Sequence, residues 1–167
     1  VKVSAEFLLW TSEARDRIED GQRKWNSLVT CTGVSFGDFD VVTFSPADYV
    51  DSPPFHHHYW MVANPGAGPN GTPDGRTFSD IGFGGRTVGA ITRINPNMAF
   101  NPSTSDRSLF NYLGSHETGH TFNLDDCLST TTGGVCSAPG QSIMSGHFTI
   151  TFNENGPTTC DYNAVKT

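Results

Sequence analysis

The 167-residue chain carries a formal net charge of −7, with hydrophobic residues at 35% and charged residues at only 16%. Its length suits one domain over residues 1–167, and the 18 glycines and 10 prolines mark a loop-rich globular chain, not a disordered one or a coiled coil. Basic residues are few and scattered, which excludes a nucleic-acid-binding stripe, and no stretch is long and apolar enough to span a bilayer.

Val1 to Trp10 alternates at Val1, Val3, Ala5 and Phe7, which predicts a first strand. Thr11 or Ser12 then caps a helix with Glu13 in its first turn; Ile18, Trp25 and Leu28 share an apolar face, and the helix is expected to end near Thr30. Phe39, Val41, Val42 and Phe44 predict a second strand, and Tyr59 to Val62 a third. His56-His57-His58 lies just before that third strand, with no Cys, Asp or Glu beside it. It is read as a polar loop near the strand start, against an adventitious metal site formed by His56 and His58.

From Asn64 to Gly85 the chain is turn chemistry (Asn-Pro-Gly, Pro-Asn-Gly, Pro-Asp-Gly) and is expected to be a long surface excursion. Thr87 to Asn95 alternates at Val88, Ala90, Thr92 and Ile94 and predicts a strand at a sheet edge. Ser103 or Ser105 starts the strongest helix, which carries Leu109, Phe110 and Leu113 and runs to about Phe122; Thr158 to Val165 predicts a short last helix.

The four cysteines, Cys31, Cys127, Cys136 and Cys160, lack the spacing of a structural zinc knuckle. Their even number favours two disulfides and an oxidising, extracellular compartment. Of the three pairings, Cys127–Cys136 as a local loop and Cys31–Cys160 as a tie to the C-terminal part are favoured; four buried free thiols are the alternative. Asn70-Gly71-Thr72 is an N-glycosylation acceptor triplet. Secretion implies that Val1 begins a mature chain from which a leader has been removed.

The chemistry concentrates in His116-Glu117-Thr118-Gly119-His120. On a helix, residues four apart share a face, so both imidazoles point at one locus, where zinc accepts neutral nitrogen at roughly 2.0–2.1 Å. Glu117 angles toward the open side and can take a proton from an activated water without being a ligand. The alternative, a surface helix that carries two histidines by chance, supplies no third ligand. If the helix ended at Asn123, a residue that tolerates the left-handed conformation, the chain would turn and bring Asp126 back under the metal. Asp125 would then be a second-sphere acceptor or face solvent. Met144, in Ser142-Ile143-Met144-Ser145-Gly146, can pack beneath the imidazoles, though ordinary core filling is the commoner use of Met.

His116, Glu117, His120, Asn123, Asp126 and Met144 together resemble the metzincin clan of zinc endopeptidases. The clan pattern is HExxHxxGxxH or HExxHxxGxxD followed by a turn containing Met, and the aspartate looks most like the snapalysin-type variant. The resemblance covers about residues 105 to 146. The chain departs from it at Asn123, where the clan has glycine, and at Gly146, where some members carry a tyrosine. The resemblance implies an α+β, zincin-like fold with a twisted mixed sheet packed on the motif helix, a loop-rich C-terminal part and a Met-turn. It also implies one catalytic Zn²⁺ held by His116, His120 and Asp126, with Glu117 as general base. His147 is the candidate transition-state stabiliser, with Tyr59 and Tyr162 as alternatives.

These readings converge on a secreted, monomeric zinc metalloendopeptidase, a hydrolase that binds an extended polypeptide in a cleft with Thr87–Asn95 as its rim and has no nucleic-acid partner or membrane span. The competing readings are a catalytically silent zincin-like extracellular binding module, an aspartate-ligand zincin peptidase of another family, and a structural-zinc secreted domain. An intact Glu117 and a three-ligand set favour the enzyme over the silent or structural readings.

Overall fold

The computed structural model describes residues 2–3, 11–29, 34–37, 40–41, 58–67, 74–83, 87–101, 103–126, 142–144 and 156–166. Among them the order of elements is β1 (Lys2–Val3), α1 (Ser12–Arg23), a 3₁₀ turn (Lys24–Leu28), β2 (Asp40–Val41), β3 (His58–Val62), β4 (Gly75–Ile81), β5 (Thr87–Ile94), α2 (Thr104–His120) and α3 (Thr159–Lys166). The fold is mixed α+β.

Both long helices start where a side chain accepts an otherwise orphaned backbone N–H. The Thr11 hydroxyl accepts from Ala14 N at 3.3 Å, and the Ser103 hydroxyl accepts from Asp106 N at 3.1 Å. Past Arg23 the first helix tightens into the 3₁₀ turn. This keeps Trp25 and Leu28 buried on the side that Ile18 begins. α3 opens on a reciprocal cap between Thr158 and Asp161.

The sheet order is β2-β1-β3-β5-β4, with every neighbouring pair parallel except β4, which runs antiparallel to β5 at the edge. Alternation sorts the side chains of the long strands onto two faces. Trp60 and Ile94 join Ala14, Ile18, Phe110 and Leu113 in one buried cluster, so α1 and α2 both cover that face. Tyr59, Met61 and Ile91 cluster on the opposite face. A further cluster, built from Trp25, Leu28, Phe36, Tyr112, Ile143 and Met144, lies under the end of α2.

Two glycines let α1 and α2 touch backbone to backbone. A Cβ on Gly114 would stand 2.1 Å from the Ile18 carbonyl oxygen, and one on Gly21 would stand 2.1 Å from that of Asn111. Polar locks flank this crossing. The Trp25 indole donates to the Ser115 carbonyl at 2.8 Å, the Trp60 indole donates to Gln22 Oε1 at 2.7 Å, and Lys24 donates to the Asn111 side chain.

The structure departs from the sequence expectations at the turn-rich excursion, at Thr87–Asn95 and at His58, which is a buried residue of β3 and not part of a polar loop. The turn-rich excursion contains a seven-residue strand, β4, whose mostly polar alternation (Arg76, Thr77, Phe78, Ser79, Asp80) hides it from hydrophobic-pattern reading. In consequence Thr87–Ile94 is an interior strand, paired on both sides, and the sheet edge belongs to β4. Of the alternating stretch 1–10 only residues 2–3 are described, and of the strand expected from Phe39 to Phe44 only residues 40–41; the rest of both lies outside the described residues.

Because backbone, not a mobile side chain, faces Gly114, substitution there has no route of relief. Gly114→Ala should lower stability by about 3 kcal/mol through overpacking, read as a drop in the urea midpoint with an unchanged m-value.

Candidate metal centre

α2 carries His116, Glu117 and His120 in its last turn and a half. His116 Nε2 lies 3.1 Å from Asp126 Oδ1, and His120 Nε2 lies 3.5 Å from the same oxygen. The ligand atoms of the three residues all fall within 4.8 Å of one another, and no other such group of His, Cys, Asp and Glu occurs among the described residues.

The helix ends in a way that makes this convergence possible. N–H groups of Thr121, Phe122 and Asn123 bond three residues back, to Thr118, Gly119 and His120, each at 3.0 Å, which tightens the last turn. Asn123 then takes φ 61°, the sole positive φ outside glycine among the described residues. That left-handed residue reverses the chain. Leu124 presents its carbonyl to His120 Nδ1 at 2.7 Å, and Asp126 swings back to the imidazoles. Asp125 is exposed.

The protonation pattern shows what the three residues can hold. His116 Nδ1 lies 2.9 Å from the Ile143 carbonyl and 3.2 Å from the Tyr112 hydroxyl, and His120 Nδ1 faces the Leu124 carbonyl. A carbonyl only accepts, so each Nδ1 carries the proton. In the neutral rings both Nε2 atoms therefore aim bare lone pairs at a carboxylate oxygen. Three electron-rich atoms at this spacing repel unless a cation sits among them. Around a tetrahedral ion with ligands at about 2.0–2.1 Å, ligand atoms are separated by roughly 3.3–3.4 Å, close to the 3.1 and 3.5 Å observed. Two imidazole nitrogens and one carboxylate oxygen fit a first-row dication such as zinc.

Titration behaviour points the same way. Burial alone would lower the His116 pKa, but the Asp126 carboxylate, the Glu117 charge and the Ile143 carbonyl overcome it and raise the value above the ordinary histidine range. The His116 contact in turn holds Asp126 below the usual carboxylate range against its own partial burial. Burial, reinforced by the charges of Asp126, Glu117 and Asp161, pushes the Tyr112 phenol up, so it stays a neutral hydroxyl beside His116. The Asp126 side chain is 49% exposed and that of His120 is 20% exposed, so this side of the group faces solvent.

The Ile143 carbonyl is itself anchored. Asp161, buried in α3, accepts from Ile143 N at 3.0 Å, from Thr158 N at 2.7 Å, from Thr158 Oγ1 at 2.9 Å and from the Ser142 hydroxyl. Ser142 also accepts from Met144 N at 2.9 Å. Met144 is 1% exposed and packs under α2, where a Cβ on Gly119 would come within 2.3 Å of its sulfur. The small residue between Glu117 and His120 is what admits the methionine.

Glu117 is buried against the edge strand. Its Oε2 accepts from Thr77 Oγ1 at 2.8 Å. Its Oε1 lies over Gly75, where a Cβ would stand 2.7 Å away, and has no partner among the described residues. Ser79, two residues along β4, donates to the His120 carbonyl at 3.1 Å. The polar alternation of β4 therefore serves a purpose: its hydroxyls meet the end of α2.

No family model, curated protein or solved structure matches this chain.

The structure thus brings His116, His120, Asp126, Glu117 and Met144 together from the sequence alone. Of the alternative oxyanion stabilisers, Tyr59 lies in the cluster on the sheet face away from α2, and the Tyr162 hydroxyl is engaged with Ser27 Oγ at 2.9 Å. His147, Asn70, Cys31, Cys127 and Cys136 lie outside the described residues, as do the Cys127–Cys136 and Cys31–Cys160 pairings. Cys160, in α3, is disulfide-bonded. Sequence reading passed over Tyr112, Thr77, Gly75, Ile143 and Asp161. Only Tyr112, four residues before His116 and so on the same helix face, carries a local signal.

The chain should bind one Zn²⁺, and His116→Ala, His120→Ala or Asp126→Ala should each abolish stoichiometric binding in competition calorimetry. Asp161→Ala touches none of the three ligands, yet it should weaken binding by about tenfold by freeing the carbonyl that orients His116.

Proposed function

We propose that the chain is a zinc-dependent endopeptidase. The observation that carries this reading is the buried carboxylate of Glu117, one residue from a ligand. One of its oxygens is committed to Thr77 and the other has no partner among the described residues. A purely structural metal site has no use for a further carboxylate beside it, and a carboxylate on a residue only 3% exposed is costly to bury.

In this reading His116, His120 and Asp126 hold the metal, which supplies Lewis acidity to polarise a scissile carbonyl and acidify a water. Glu117 Oε1 takes the proton of the attacking water and returns it to the leaving amine, a task suited to an acceptor whose other oxygen is fixed. Thr77 orients the carboxylate, and Gly75 leaves room for it. The exposed side of Asp126 leaves the group accessible to substrate. β4, antiparallel and at the sheet edge over the motif helix, can accept an extended peptide as an added strand. This replaces Thr87–Asn95 as the expected rim.

The finer assignment, a metzincin-type domain with a snapalysin-like aspartate ligand, rests on Asn123 taking the left-handed conformation of the clan's glycine and on Met144 packing against Gly119 of the motif helix. Secretion, a monomeric state, two disulfides and a glycan at Asn70 belong to the same proposal.

Hydrolysis of a generic denatured protein substrate, stopped by chelator and restored by zinc, tests the activity. Glu117→Gln should reduce kcat by about 10⁴-fold or more, since it removes the base, while zinc stays bound. An unaffected rate in that variant sinks the mechanism, and a zinc-loaded wild type with no hydrolysis favours the silent binding module. Gly75→Ala should lower kcat by roughly tenfold with the fold intact, because the added methyl meets side-chain atoms of Glu117 and Leu113, not backbone, and pushes the carboxylate off its Thr77 contact.

A further inference from the structure

Behind Glu117 a line of polar side chains crosses the sheet. Thr77 Oγ1 lies 2.7 Å from Thr92 Oγ1, and Thr92 Oγ1 lies 2.7 Å from His58 Nε2. Strand register produces the line: Thr77 sits directly opposite Thr92, and Thr92 sits opposite Trp60, one side-chain step from His58 on the same face. Thr92 is fully buried and His58 is 7% exposed, with Trp60 at 5.0 Å and Phe36 at 6.2 Å between ring centroids. His58 is thus a core residue of β3 and not part of a polar loop.

Counting protons gives the line a direction. Around Thr77 Oγ1, Glu117 offers a carboxylate oxygen at 2.8 Å and a backbone carbonyl at 3.0 Å, and both only accept. The single Thr77 proton therefore goes to Glu117. The Thr77–Thr92 contact must then use the Thr92 proton, and the Thr92–His58 contact must use a proton on His58 Nε2. His58 Nδ1 is left as the bare atom, and it is buried with no hydrogen-bond partner among the described residues. Burial pushes the His58 pKa down to about 3, so the ring stays neutral and the direction does not reverse near neutral pH.

An apolar trio would fill this space without stranding a buried nitrogen, and valine is a near-isostere of threonine. The polar line ends on Glu117, with Oε2 at 2.8 Å as the nearer acceptor and the backbone carbonyl at 3.0 Å beside it. We propose that His58, Thr92 and Thr77 form a directional hydrogen-bond chain that locks the Glu117 carboxylate, with His58 as a positioning residue for the reaction. This rests on Glu117 as the base. Each donor in the chain polarises the next, so Thr77 becomes a stronger donor than an isolated hydroxyl. The chain carries no net proton; it fixes which oxygen of Glu117 is occupied and which is left bare.

The first test needs no turnover. Nitrogen-15 NMR of the zinc-free protein should show His58 as the Nε2–H tautomer with no titration between about pH 5 and 8, and Glu117→Ala should shift the His58 Nε2–H resonance although the two side chains do not touch. An Nδ1–H tautomer, or a resonance indifferent to Glu117→Ala, overturns the chain whatever the protein catalyses. The second test separates positioning from structure in the zinc-loaded enzyme. Thr92→Val and His58→Leu should each lower kcat by about tenfold, with KM and zinc affinity within about twofold. The double variant should be no worse than either single one, and His58→Gln, which retains a donor, should recover most of the loss. Unchanged kcat in folded variants, multiplicative losses, or zinc affinity falling in step with kcat overturn the proposal. Absence of hydrolysis in the wild type, with the NMR results as expected, refutes the endopeptidase reading and leaves the chain standing.

Discussion

Two backbone carbonyls decide the tautomer of the motif histidines. Those of Ile143 and Leu124 each draw the Nδ1 proton of one ring, so in the neutral rings both Nε2 lone pairs aim at Asp126. Everything around the site serves to place those two oxygens. The Leu124 carbonyl is where it is because Asn123 turns the chain left-handed straight after α2. The Ile143 carbonyl is where it is because Asp161, from the last helix, gathers the donors of Ser142, Ile143 and Thr158. A helix supplies the histidines, but elements far along the chain tune them.

The opposite side of α2 meets a different environment. Here β4 supplies hydroxyls, with Thr77 on the Glu117 carboxylate and Ser79 on the His120 carbonyl. The last carbonyls of α2 lack the regular four-residue helical partners, and that of His120 accepts from Asn123 N and from Ser79 Oγ instead. The antiparallel edge strand therefore closes the end of the motif helix and orients its carboxylate at once. This explains why the strand is polar on the face that looks inward.

The helices, the histidine pair and the return of Asp126 are legible in the sequence because each follows from local spacing: capping residues, a four-residue histidine interval, and an Asn where a helix must stop. Met144 is singled out only by the clan resemblance, since a lone Met ordinarily fills a core. β3 and β5 are legible from alternation. β4 is not, because its inward residues are Gly75, Thr77 and Ser79, which bury polar atoms against a helix and imitate a loop in composition. Asp161 and His58 are illegible for a related reason. Their partners lie at sequence separations of 18–19 and 34 residues, and no period links them to the motif. A buried polar residue is read as a loop residue until the fold provides its acceptor.

The crossing of α1 and α2 at Gly21 and Gly114 separates the site into two mechanical parts. Opening α2 breaks the main cluster with Ile18, Phe110 and Trp60, so its backbone amides belong to the unit that exchanges only on global unfolding. Asp126 hangs on a half-exposed turn outside that unit. For a metal ion the two histidines would form a preset half-site, and Asp126, on its half-exposed turn, would be the ligand left to close over it.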